Sequence, residues 1–246
     1  MLWEYDKYTT DQAAIMNSTI IEYDMRAANT SLAREFNLLP EDFIKHLVEL
    51  PKKQREVEVG LYKRKHKDYN ELEKKAFAKA RLMFFEMNDL HPDRIVSIKR
   101  DAIFTRNRVK YTKLTKNIEF RLKHEYDSFI QIKPLEMYYE SGRPLDVKGI
   151  NSDVYDEYHH QYFGKYIEGV FKRAETQSIE EVLKYLSHTL DAYKWRDLPI
   201  GCYREFNALS QYLCNDGRYW NMVEGLTDVN IEYNFRFLCK LMGVLF

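Results

Sequence analysis

No apolar run in this chain approaches the roughly 20 residues that a transmembrane helix requires, so helical insertion into a membrane is not expected. Met1 to Gln12 contains no basic stretch followed by an apolar one, which argues against a secretory signal. Cysteine is scarce: Cys202, Cys214 and Cys239 are odd in number, widely spaced and free of any CxxC pairing. Neither a disulfide framework nor a zinc site is expected from them, and they read as reduced core thiols. With only 9 Gly, no Gly/Ser linker, no internal repeat and no low-complexity tract, the chain reads as continuously structured. A Gly-rich phosphate loop, a GxSxG elbow and an HExxH helix are missing too, which removes the commonest nucleotide-hydrolase, serine-hydrolase and metalloprotease readings. Together the absences point to a cytoplasmic protein, in the host cytoplasm if the source is a virus.

What the 246 residues do contain is material for a core: 45% hydrophobic residues, with 19 Tyr and 14 Phe, which excludes a disordered chain. The formal charge is zero, with 38 basic and 38 acidic residues, but it is unevenly spread. Lys45 to Lys123 holds 22 Lys and Arg against 11 Asp and Glu, which leaves 16 basic and 27 acidic residues for the rest. A basic middle suits a polyanion such as nucleic acid; it also suits neutralisation by the chain's own acidic parts.

Local patterns give an α+β order. Ser18 to Met25 is a strand-like run in which Ile20 and Ile21 are β-branched, and the segment after it, through Asn37, carries helix-forming residues. Pro40 opens a short helix. Pro51 to Leu90 reads as one or two long helices, with Val57, Leu61, Leu72, Ala76, Ala80, Met83 and Met87 as the apolar stripe. Asp93 to Phe104 reads as strand, bent into a hairpin, and Ile118, Phe120 and Leu122 alternate with charged residues as in a half-buried strand. Four helical segments are expected beyond residue 150, and Tyr138, Tyr139, Tyr155, Tyr158, Tyr162 and Tyr166 fall at spacings that one helix face would gather for packing. The paired His159 and His160 read as packing or surface residues rather than metal ligands. The expected architecture is a small antiparallel sheet with long basic helices over residues 1–143, followed by a helical, Tyr-rich domain over 144–246.

Two acids stand out. Asp24 ends the first strand and Asp101 lies inside the later hairpin, with the basic helices between them. Carboxylates brought together by neighbouring strands hold divalent metals that bridge phosphate oxygens; an Asp at a strand end also serves as an ordinary turn residue. Thr105 to Asn117 interleaves Arg106, Arg108, Lys110, Lys113 and Lys116 with Tyr111, the combination that phosphate contact plus base stacking uses.

The stretch "DMRAANTSL", with Asp24 and Ser31, resembles the first palm motif of family B DNA polymerases, and "KRDAIF", Lys99 to Phe104, is similar to the second half of their third palm motif. The resemblance covers about 80 residues, and Lys99 stands where that family carries a further acid. It implies a palm-like sheet in which Asp24 and Asp101 are the metal ligands, with Mg2+ or Mn2+ as the ion. Asp127 in "EYDSFI" is a competing second ligand. By the same resemblance the basic helices correspond to fingers, where Arg55, Lys63, Arg64 or Lys67 would meet a triphosphate, with Lys99, Arg106, Arg108 and Lys110 as further phosphate contacts. The expected partners are nucleotides and nucleic acid, DNA before RNA, and the C-terminal helices are an expected surface for a protein partner or self-association. Three functional readings remain: a polymerase-like nucleotidyltransferase, an inactive nucleic-acid binder on the same palm, and a self-assembling protein.

Overall fold

The computed structural model describes residues 1–133, 135–149, 164–198, 200–203, 235–236 and 238–243. It is an α+β chain of two compact units, the first built from residues 1–10 and 20–125 and the second from 11–19 and 126–246.

In the first unit a five-stranded sheet runs in the order β1-β4-β5-β3-β6. The strands are β1 (Lys7–Thr9), β3 (Ile20–Met25), β4 (Ile95–Lys99), β5 (Ala102–Thr105) and β6 (Phe120–Tyr126). The β1–β4, β4–β5 and β3–β5 pairs are antiparallel, and Arg100 and Asp101 alone turn the chain from β4 into β5. Four helices accompany the sheet: α1 (Ala28–Glu35), α2 (Glu41–Glu49), α3 (Lys52–Lys65) and α4 (Tyr69–Met87).

Strand alternation sorts β3 into two faces. Ile21, Tyr23 and Met25 pack with Phe77, Ala80 and Phe84 of α4 and with Ile98, Ile103 and Phe120, while Glu22 and Asp24 point the other way. The acids are therefore presented on the sheet face away from α4. The α4 stripe differs from the expected one: its buried positions are Tyr69, Glu73, Ala76, Phe77, Ala80, Arg81, Phe84 and Phe85, while Leu72 and Met87 are exposed, as are Val57 and Leu61 on α3. A buried Glu and a buried Arg within the stripe hide its period from a hydrophobicity count. Leu122 of β6 is likewise exposed, although Ile118 and Phe120 are buried.

The second unit carries a four-stranded antiparallel sheet in the order β2-β7-β8-β9, from β2 (Ala14–Ile15), β7 (Ser128–Ile132), β8 (Leu135–Tyr139) and β9 (Asp146–Lys148). Helices α5 (Lys165–Thr176) and α6 (Ile179–Lys194) cover it through Ile167, Val170, Phe171 and Leu186 against Ile130, Met137 and Tyr139. The Tyr139 and Phe171 rings stack at 5.0 Å. Tyr138 and Tyr139 thus belong to a strand and not to the expected helix face; Tyr155, Tyr158, Tyr162, His159, His160 and Cys214 lie outside the described residues. The composition shift puts a boundary after residue 143, whereas compactness follows strand pairing and divides the chain after Glu125. Cys202 is buried, and burial pushes its thiol up to about 12, which suits an inert core residue. No helix among the described residues is long and apolar enough to cross a membrane.

Candidate functional site

Asp24 is the fifth of six residues in β3 and pairs in register with Ala102, the residue after Asp101. The Met25 amide donates to the Asp101 carbonyl at 2.9 Å. Both side chains line one cavity of about 480 Å³ in the first unit. Burial, and secondarily the negative charge of Asp24, raise the Asp101 carboxyl above its ordinary value, while Arg100 and Lys123 pull it down. Two carboxylates thus share one partly dehydrated cleft.

The start of a helix lines the same cavity. After Asp24 the chain makes an abrupt turn in which Ala27 takes a left-handed conformation, φ 46° and ψ 46°, and starts α1. Ala28, Asn29 and Thr30 at the start of α1 line the cavity. Free N–H groups and the positive end of the helix dipole lie at such a start. The turn is held from within: the Thr30 hydroxyl donates to the Ala27 carbonyl at 3.0 Å and the Ser31 hydroxyl to the Arg26 carbonyl at 2.8 Å. Ser31 is therefore a brace for the loop.

Lys52, Arg55, Arg121 and Lys123 bring four cations to the same cavity. Arg55 is fixed by donating from Nη2 to the Leu50 carbonyl at 3.2 Å, and its buried Nε has no hydrogen-bond partner. An orphan guanidinium donor beside a helix start is a ready contact for a phosphate or carboxylate oxygen. On β6, Arg121 reaches Asp24 at 3.3 Å and Lys123 reaches the buried Glu22 at 2.9 Å, so two acids and two bases face each other across β3 and β6.

Of the residues singled out in the sequence, Asp24, Asp101 and Arg55 meet here. Lys63, Lys67 and Lys99 line a different cavity of the first unit, and Arg64 is exposed on α3 and lines neither. Arg106, Arg108 and Lys110 belong to the loop between β5 and β6. That loop is anchored by Asn88, whose Oδ1 accepts from the Lys110 and Tyr111 amides and whose Nδ2 donates to the Tyr111 carbonyl. Arg108 pairs with Glu125, and Tyr111 is 44% exposed with the Lys110 ammonium 5.2 Å from its ring. Asp127 belongs to the second unit, where it accepts from the Ser141 amide and its own amide donates to Tyr139, a turn role.

Sequence reasoning missed Lys52, Arg121, Lys123 and Glu22. The last three had a readable signal: Glu22 and Asp24 are two apart on one strand, Arg121 and Lys123 two apart on another, which is what a charge-matched strand pair looks like. Lys52 gave no such sign. Among the described residues no group of three or more His, Cys, Asp or Glu is placed to hold a metal ion. The acids that line this cavity are Asp24, Asp101 and Glu56.

A search of curated proteins finds no match to this chain. The profile of the family described as Bacteriophage PBS1 gene 130 protein matches residues 1–245. Spanning nearly the whole sequence, that match shows that the chain belongs to the Bacteriophage PBS1 gene 130 protein family and is a phage protein.

Proposed function

We propose that this phage protein is a polymerase-like nucleotidyltransferase that works on nucleic acid, DNA before RNA, with a divalent metal held by Asp24 and Asp101. The observation that carries the reading is the single cavity lined by both aspartates, the start of α1 and Arg55. The raised carboxyl of Asp101 beside Asp24 fits an ion such as Mg2+ or Mn2+, which would supply charge neutralisation between a 3′ hydroxyl and a triphosphate. The chain's own part is to orient: Ala28 to Thr30 offer backbone N–H groups to phosphate oxygens, and Arg55 and Lys52 add charge-assisted contacts. Arg121 neutralises Asp24 until a metal or substrate replaces it.

The test is metal-dependent incorporation of a nucleotide on a primed template by the parent, Asp24→Asn and Asp101→Asn. The parent should be active and each variant should lose at least about a hundredfold, typical of removing a preorganised electrostatic contact. Incorporation that survives both changes sinks the assignment.

The Arg121 pair favours a second reading, a palm-like cleft that binds nucleic acid without reacting, because a permanently paired Asp24 is no metal ligand. On that reading the parent incorporates nothing, binds nucleic acid with an affinity that falls steeply with salt, and keeps that affinity in Asp24→Ala.

A further inference from the structure

The first unit has a second cavity, of about 720 Å³, at the tip of the β4–β5 hairpin and the junction of α3 and α4. Six basic residues line it, among them Lys63 and Arg100, against the three acids Asp6, Glu71 and Glu73. Lys7, Lys67, Lys74 and Lys99 contribute from β1, the loop between α3 and α4, α4 and β4, and Lys74 pairs with Glu71 at 2.9 Å. Lys7 and Lys67 are exposed and form no ion pair among the described residues.

Glu73 of α4 also lines this cavity and is only 2% exposed. Its Oε2 accepts from Lys63 at 2.6 Å and from Arg100, while its buried Oε1 has no hydrogen-bond partner. The buried Tyr69 hydroxyl is likewise without a partner, and it lies close enough to Glu73 for that charge to help raise its pKa, after burial itself. A buried carboxylate oxygen left unpaired is costly. A lining that attracts anions while holding one orphaned acceptor selects a ligand with both characters.

We infer that this second cavity binds a phosphate-bearing ligand that also carries a hydrogen-bond donor, the chemistry of a nucleoside phosphate, either free or as part of a strand. The phosphates lie against Lys7, Lys67, Lys74 and Lys99, and a sugar hydroxyl or base N–H donates to Glu73 Oε1. The site is separate from the aspartate cavity and does not depend on catalysis there, since the two share no lining residue.

Calorimetric titration of the full chain in EDTA, with pyrophosphate, adenosine diphosphate and a short oligothymidylate as probes, tests this. Adenosine diphosphate, which has sugar hydroxyl and base N–H donors, should bind at least about threefold tighter than pyrophosphate, which has neither. Lys7→Ala with Lys67→Ala should weaken the tightest probe by about tenfold, two exposed charge contacts at roughly 0.7 kcal/mol each. Both side chains are exposed, so the variant should melt with the parent. Lys52→Ala with Arg55→Ala strips cations from the other cavity and should leave this affinity in place. Tighter binding of oligothymidylate than of the diphosphate assigns the site to a strand, and the reverse assigns it to a free nucleotide. Failure of all three probes to bind overturns the inference, as does binding that is insensitive to Lys7 and Lys67. Adenosine diphosphate no tighter than pyrophosphate overturns the donor half of it.

Discussion

Replacing Arg81 by Met should destabilise the first unit by about 3 kcal/mol. Arg81 is completely buried on α4 and has three separate acceptors: Nε donates to the Trp3 carbonyl at 2.8 Å, Nη1 to the Arg100 carbonyl at 2.7 Å and Nη2 to Asp6 at 3.1 Å. Burial pulls its pKa down and Asp6 pushes it back up, so the guanidinium stays charged because it is paired. Methionine fills similar space with no donor. The two carbonyl bonds are charge-assisted and partly buried, about 1.5 kcal/mol each at the low end of their range. Asp6, 37% exposed, recovers water when released and adds at most about 1 kcal/mol. The removed cost of burying a cation offsets part of this, leaving about 3 kcal/mol and a fall in Tm of roughly 6–12 °C for a chain of this size. Arg81→Lys, which reaches one acceptor instead of three, should lose about 2 kcal/mol. Urea unfolding followed by tryptophan fluorescence is the assay, since Trp3 lies 6.2 Å from Phe85 on the same helix. An Arg81→Met midpoint that reports less than about 1 kcal/mol of loss would refute the claim that this side chain ties the N-terminal segment and the Arg100 turn to α4.

Three shorter tests bear on the aspartate cavity. Lys123→Met leaves Glu22, 1% exposed, without its ammonium partner and should cost about 3 kcal/mol in urea unfolding, of which Glu22→Gln in the same chain restores at least a third. Asp101→Asn should make the protein more stable at neutral pH: a carboxyl whose folded pKa lies above its unfolded value stabilises the fold only while protonated, and that stability is lost as pH rises from the unfolded value of 3.8 through the folded one. Melting curves of parent and variant should therefore converge in acid and separate above that window; a parent that gains on Asp101→Asn with rising pH contradicts the assignment. Ala27→Gly relieves a left-handed alanine at φ 46° and should add about 0.5–1 kcal/mol, with an unchanged or lower Tm as the contrary result.

The first unit was largely legible because its strands announce themselves. Ile20 and Ile21, and then Ile95, Val96, Ile98, Ile103 and Phe104, are β-branched or aromatic runs of strand length, and the observed β3, β4 and β5 fall on them. The meeting of Asp24 with Asp101 followed from their places at the ends of adjacent strands, one pair away from each other in register. Tyr138 and Tyr139 went to the wrong element because a short aromatic run carries no period of its own, and only pairing with β7 fixes it as strand. The α4 face is hidden in the sequence for a different reason. Glu73 and Arg81 are polar residues buried through mutual compensation with Lys63, Arg100 and Asp6, and compensation between distant residues leaves no trace in a local count. Lys63 and Lys99, expected as phosphate contacts, line the cavity that holds Glu73 rather than the one that holds the aspartates.

Arg100 and Asp101 are consecutive residues of the turn between β4 and β5, and they look into different cavities. Arg100 holds a left-handed conformation at φ 53°, and its carbonyl is the one that Arg81 grips. Adjacent residues thus supply a cation to one cavity and a carboxylate to the other, and the buried Arg81 pins the carbonyl that joins them, so loss of this one side chain should loosen a wall of both cavities at once.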